Sequence, residues 1–189
     1  MYFFFLLFSI LQAEAHVDDK EKLIKNIVDL YRPLASEQFQ KDIVLTLKKD
    51  DPSLNASAGH MPDGSIEVTV FGGVLEQLEE SEIIFVLCHE IGHIFGKTFE
   101  GKLYRGEGEA DYFAGSCVLN ILHDIDSAER SIMGSLEKLY SAPIDYSLAE
   151  TRKYPGIQLS YPDKECRVLS ALRGLREEPR PACWFNPLL

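Results

Sequence analysis

Residues 80–96 read Glu80-Ser81-Glu82-Ile83-Ile84-Phe85-Val86-Leu87-Cys88-His89-Glu90-Ile91-Gly92-His93-Ile94-Phe95-Gly96. Ile84, Leu87, Cys88, Ile91 and Phe95 recur at helical spacing, with Ser81 in the position of an N-cap and Gly96 in that of a stop. The stretch predicts a buried amphipathic helix over about 82–96. On it His89 and His93 stand one turn apart on a single face, so both imidazoles reach one metal ion. Glu90 projects about 100° around the helix from His89, where it meets a metal-bound water without ligating the metal. Two satisfied core histidines beside a surface glutamate are the competing reading. Buried polar groups on one face need partners, however, and a metal supplies them most economically.

Tetrahedral catalytic zinc takes three protein ligands and keeps one position open for water. The third ligand is sought in Glu107-Gly108-Glu109-Ala110-Asp111. Glu107 and Glu109 compete for that role, because they lie about 200° apart around a helix and only one of them faces the metal. Upstream, Ser65 to Phe71 alternates apolar and polar side chains, the period-two mark of a half-buried strand. It leads through Gly72-Gly73 towards the histidine helix. Such a strand offers an edge on which an extended peptide docks, or is an ordinary sheet strand with no substrate role.

Asn55-Ala56, Asp63-Gly64, Ile66 to Phe71, Gly73-Val74-Leu75, His89 to His93 and Glu107 to Asp111 follow one another in an order that resembles a known pattern. The chain is similar to the HtpX-like and CAAX-protease-like zinc metallopeptidases, a gluzincin group that includes mitochondrial Oma-type and periplasmic BepA-type proteases. The resemblance spans about residues 52 to 120 and implies one zinc per chain, held by His89, His93 and Glu107, the first residue of an E-x-x-A-D motif. It implies a protein or peptide substrate and Glu90 as the general base that takes a proton from the zinc-activated water. Asp111, four residues after Glu107 on the same helical face, is expected to accept the ring N–H of a ligating histidine, His89, and fix its tautomer. The oxyanion donor stays open among Arg105, Tyr112, His60 and His123. A non-catalytic zinc-dependent peptide-binding or chaperone-like module is the alternative, which Glu90 disfavours because a structural site has no use for a base there.

The first fifteen residues, MYFFFLLFSILQAEA, hold an apolar run from Tyr2 to Leu11 followed by Ala13-Glu14-Ala15. They read as a signal peptide cleaved after Ala15, although no Lys or Arg precedes the run. A bilayer span needs ~20 apolar residues, so no integral span is expected after cleavage. The expected location is periplasmic or secreted. Removing these residues leaves 174 of 189, a single metallopeptidase domain over 16–189, and the net charge of −11 becomes about −10 without Glu14. Such an acidic chain has no electrostatic footprint for nucleic acid. Four cysteines, an even number, fit an oxidising compartment. Cys166 and Cys183 are expected to pair and pin the Trp184-Phe185 tail, while Cys88 and Cys117, on apolar sides of helices, are expected to stay unpaired.

The element order expected is a helix from Asp18 to about Phe39, interrupted or kinked near Pro33, and a strand over Ile43 to Lys48. The strand over Ser65 to Phe71 comes next. Helices follow at about 82–96, 107–124, 127–140 and 163–174. The fold class is α+β: a small zincin-like domain in which a few-stranded sheet packs on a helical core carrying H-E-x-x-H.

Overall fold

A computed structural model of the chain describes residues 2–95, 98–99, 102–103, 106–141, 164–181 and 183, with side chains described over 17–95, 106–141, 164–181 and at 183. The elements run α1 (Tyr2–Phe39), β1 (Ile43–Lys48), β2 (Ala56–His60), β3 (Ile66–Phe71), α2 (Gly72–Gln77), α3 (Glu80–Phe95), β4 (Thr98–Phe99), β5 (Lys102–Leu103), α4 (Glu107–Leu122), α5 (Ile125–Tyr140) and α6 (Lys164–Leu175). The architecture is the expected α+β one, with a three-stranded sheet against a mainly helical body.

Strand order in that sheet is β1-β3-β2, with β1 parallel and β2 antiparallel to β3. Ile66, Val68 and Val70 of β3 are fully buried, and Ile43 opposite Ile66 joins them, which is the alternation the sequence displays. On the other face Thr46 Oγ1 donates to Glu67 at 2.7 Å and Thr69 Oγ1 does so at 3.2 Å. The expectation of β3 as a docking edge is overturned, because β3 is the central strand and both its edges are already paired. The free edge beside the helices belongs to β2, a strand that Ala56-Ser57-Ala58-Gly59-His60 did not advertise because its residues are small or polar and of low strand propensity.

Helix α3 is central rather than merely amphipathic. Of its 16 residues only Glu80, Ser81 and His93 escape burial, which is what a helix covered on several sides requires. It packs on α1, α4, α5 and β2. Ser81 is not its N-cap. The helix begins one residue earlier, and Glu82 reaches back to accept the Glu79 amide at 2.7 Å while Lys138 of α5 donates to the same carboxylate oxygen at 2.6 Å. Ser131 and Ser135 of α5 donate to the Ser81 and Glu82 carbonyls, so α5 is fastened to the start of α3. Gly96, expected as the stop, lies outside the described residues.

Helix α1 runs uninterrupted through Pro33 to Phe39. A proline inside a helix costs ~3 kcal/mol, and burial of Ala35 with packing of Leu34 and Phe39 beyond it offsets that cost. The same helix extends back to Tyr2 through the stretch read as a signal segment. Among the described residues no helix is long and apolar enough to cross a membrane.

Cys166 and Cys183 form the expected disulfide. The Trp184-Phe185 tail it was expected to pin lies outside the described residues. Cys88 and Cys117 also form a disulfide, with Cα atoms 5.7 Å apart, which corrects the expectation that they stay free. Apolar helical positions suit buried free cysteines equally well, and only the crossing of α3 with α4 brings these two within bonding reach. Closing the 29- and 17-residue separations stabilises the fold by roughly 3–4 kcal/mol each in the chain-entropy picture.

Candidate metal centre and catalytic cleft

The site is assembled where α3 and α4 cross. A Cβ on Gly92 would stand 2.8 Å from the Ala110 backbone, so only glycine permits this approach. The approach sets the histidine face of α3 against the first turn of α4. There Glu107 Oε2 lies 3.3 Å from His89 Nε2, and Oε1 lies 3.7 Å from His93 Nε2. The two Nε2 atoms are 3.0 Å apart. Ligand atoms from His89, His93 and Glu107 all fall within 4.8 Å of one another, so the three residues the sequence singled out are brought together.

Glu109 is not. It pairs with Arg180 through two hydrogen bonds, one of 2.6 Å, on the other side of α4, and Arg180 lies over the Tyr112 ring at 4.4 Å. Asp111 is completely buried, and its Oδ1 stands 2.8 Å from His89 Nδ1, as expected from its place on α4. With the His89 Nδ1 proton on Asp111, Nε2 carries the lone pair that points to His93 and Glu107. At 3.0 Å the two Nε2 atoms, beside a carboxylate, either share a proton or both turn their lone pairs to one cation. This donor set fits a divalent metal of the zinc kind.

A cationic side chain adjoins the three candidate ligands. Arg167 of α6 donates to Asp111 Oδ2 through Nε at 2.8 Å and to Oδ1 through Nη2 at 3.0 Å. Nη2 also stands 3.2 Å from Glu107 Oε2, and Nη1 donates to the Tyr140 hydroxyl at 3.2 Å. α6 reaches this depth because it packs tightly on α4: a Cβ on Gly115 would stand 1.9 Å from the Ala171 carbonyl oxygen. Glu107, Asp111 and Arg167 therefore form one ion-paired cluster of two carboxylates and one guanidinium, in which each carboxylate also faces an imidazole.

The charges shift one another as this crowding demands. Burial resists protonation of His89, yet Asp111, Glu107 and Glu90 outweigh it and raise His89 to about 9. Burial likewise disfavours the charged form of Asp111, but Arg167 and His89 hold its carboxyl below the ordinary value. Glu107 is lowered in the same sense, burial being outweighed by His89, Arg167 and His93. Glu90 goes the other way. Burial raises it, His89 pulls it back, Glu107 adds to the rise, and Arg167 and a backbone hydrogen bond from Ala58 oppose. A carboxylate with raised proton affinity beside a metal site is suited to taking a proton and giving it up again.

His89, Glu90, His93, Glu107 and Arg167 line one cleft of about 620 Å³, together with β2 and with Phe85, Val86, Leu139 and Tyr140. In β2 the Asn55 carbonyl accepts the Phe71 amide, so Asn55, Ser57 and Gly59 bond to β3 and the amides and carbonyls of Ala56, Ala58 and His60 turn to the free edge. That edge faces the metal site, and Glu90 meets it at the Ala58 amide.

Two histidines on one helix with a glutamate between them, a third donor from the following helix and an open cleft in front define a metallopeptidase of the gluzincin arrangement. The family model for peptidase family M48 matches residues 19–129, more than half the chain, and the chain belongs to that family. No curated protein and no solved structure matches it. Family M48 is zinc-dependent in general.

The match ends before Tyr140 and Arg167, and sequence reasoning missed both. One signal for Arg167 was present: it shares a helical stripe with Val168, Ala171, Leu172 and Leu175, where a charge is anomalous without a buried partner. Of the three oxyanion candidates among the described residues, only His60 lines the cleft. Tyr112 donates to the Glu178 carbonyl at 2.7 Å, His123 caps α4, and Arg105 lies outside the described residues.

Proposed function

We propose that the chain is a zinc-dependent endopeptidase, exported to a periplasmic or extracellular space, with His89, His93 and Glu107 as metal ligands and Glu90 as general base. The observation that carries this reading is Glu90 itself, a buried carboxylate of raised proton affinity on the wall of the cleft that holds the three ligands. Bound zinc would supply a Lewis acid for the scissile carbonyl and lower the pKa of its water towards ~7. Glu90 takes the water proton and passes it to the leaving amine. His89 keeps its Nδ1 proton on Asp111, so its ring cannot turn, and Arg167 holds Asp111 and Glu107 in register.

The substrate is an extended peptide laid along the free edge of β2, where the outward amides and carbonyls of Ala56 and His60 read its backbone. Export is supported by the Ala13-Glu14-Ala15 segment after an apolar run and by two disulfides, which belong to oxidising compartments. The test is metal analysis of the purified protein together with casein hydrolysis by wild type and Glu90→Gln. About one zinc per chain is expected in both, with hydrolysis lower by ~10²–10⁴-fold in the variant. Equal cleavage by Glu90→Gln would replace this reading with the zinc-dependent peptide-binding module.

A further inference from the structure

Zinc peptidases need a donor for the charge that gathers on the scissile carbonyl oxygen as water adds to it. We infer that Tyr140 supplies it: its hydroxyl, held by Arg167 at the mouth of the metal site, donates to the developing oxyanion. This rests on the peptidase reading above and names a residue that the family match does not reach.

Three observations place Tyr140 in that role. First, it is the last residue of α5 and lines the cleft together with His89, Glu90, His93 and Glu107. Second, one guanidinium holds both Tyr140 and a ligand: Arg167 Nη1 donates to the Tyr140 oxygen at 3.2 Å while Nη2 stands 3.2 Å from Glu107 Oε2. Tyr140 and the ligand set thus share one rigid planar mount, itself fixed by the two bonds from Arg167 to buried Asp111. Third, a phenol oxygen that accepts from a guanidinium must turn its own proton elsewhere. That proton swings about the C–O bond to the strongest acceptor within reach, and an oxyanion outcompetes neutral ones. The positive charge on the oxygen side also polarises the O–H bond and strengthens it as a donor.

The other polar groups on the cleft wall are less suited. Arg167 also lines the cleft, but its Nε and Nη2 are taken by Asp111 and Glu107 and its Nη1 by Tyr140. His60 closes β2 with its ring edge-on to Phe39 at 4.9 Å, on the strand side of the cleft. Tyr140 reaches the same cleft from a different element, the end of α5.

No bond to Tyr140 forms or breaks. It gives a hydrogen bond that is weak to the neutral carbonyl and strong to the tetrahedral anion, so its effect belongs to kcat rather than to substrate binding.

The decisive variant is Tyr140→Phe, which keeps the ring and removes only the hydroxyl. In the zinc-loaded full chain, kcat is expected to fall ~10²–10³-fold, with KM changed less than about 3-fold and zinc still near one per chain. The second readout is calorimetric binding of two peptides of one sequence. A phosphinic peptide, which mimics the tetrahedral anion, should bind the variant weaker by about the same factor as kcat falls, whereas the uncleaved amide bound to Glu90→Gln and to the Glu90→Gln, Tyr140→Phe double variant should bind both alike. Unchanged kcat and unchanged phosphinic affinity in Tyr140→Phe would overturn the assignment while leaving the peptidase intact. Equal losses for both peptides would overturn it too, in favour of a packing role. If zinc-loaded wild type neither cleaves casein nor binds the phosphinic peptide, the peptidase reading falls and this inference with it.

Discussion

The candidate metal site has two halves of different character. The inner half, His89, Glu90, His93, Glu107 and Asp111, comes from two helices adjacent in the chain, and its members lie within 23 residues of one another. The outer half, β2, Tyr140 and Arg167, comes from three segments spread over more than a hundred residues. Ligation by neighbouring turns of a helix demands fixed spacings, so it writes itself into the sequence as a motif. Balancing buried charge and gripping substrate demand only a place in space, which almost any segment can supply. The family match covers 19–129 and so holds the whole inner half but only β2 of the outer one.

If that division is right, breaking the inner half should remove the metal outright. In His89→Ala, His93→Ala two of three donors are gone, and bound zinc measured by plasma emission should drop from about one per chain to none. Stoichiometric zinc retained by this variant would dissolve the distinction between the halves altogether. Breaking the outer half should instead be felt in the fold. Arg167→Met keeps volume but leaves Asp111, fully buried, without its guanidinium. Urea unfolding should show a loss of about 3–5 kcal/mol, the cost of stripping one partner from a buried ion pair. A loss under about 1 kcal/mol would mean that the imidazole of His89 alone satisfies Asp111 and that Arg167 is dispensable. The smallest effect is expected from Arg180→Ala. It strips Glu109, the rejected ligand, of its partner and should cost about 2 kcal/mol with zinc unchanged, less than Arg167→Met because Arg180 itself is partly exposed. Weakened zinc in that variant would show that Glu109 takes part after all.

The same division explains what could be read in advance. The meeting of His89 with Asp111 was legible through the resemblance to the peptidase family, while the α+β class, β1 and the helices from α3 to α6 follow from periodicity and spacing, which act over a few residues. The identity of β2 does not, because Ala56-Ser57-Ala58-Gly59-His60 carries little strand preference and is fixed by pairing with Val70 to Ile66. Which edge of the sheet lies open was equally hidden: β3 reads as the strongest strand, and for that reason it sits in the middle. The Cys88–Cys117 bridge was illegible for another reason. Its two cysteines occupy apolar helical positions like any core residue, and only the angle at which α3 meets α4 makes them neighbours. Arg167 was the exception among the hidden residues, since a charge inside an apolar helical stripe asks for a buried counter-charge.

The close approach of Gly92 to Ala110 has a consequence for anyone who would move this site to another protein. In the pattern H-E-x-x-H the two unspecified positions invite free choice, yet here the second of them is where the neighbouring backbone passes. A designer who grafts His89 to His93 onto a new helix and fills that position with a larger residue pushes away the very helix that brings Glu107 to the two histidines. The portable unit is therefore a pair of helices with their point of contact, and the pentapeptide taken alone is only half a part.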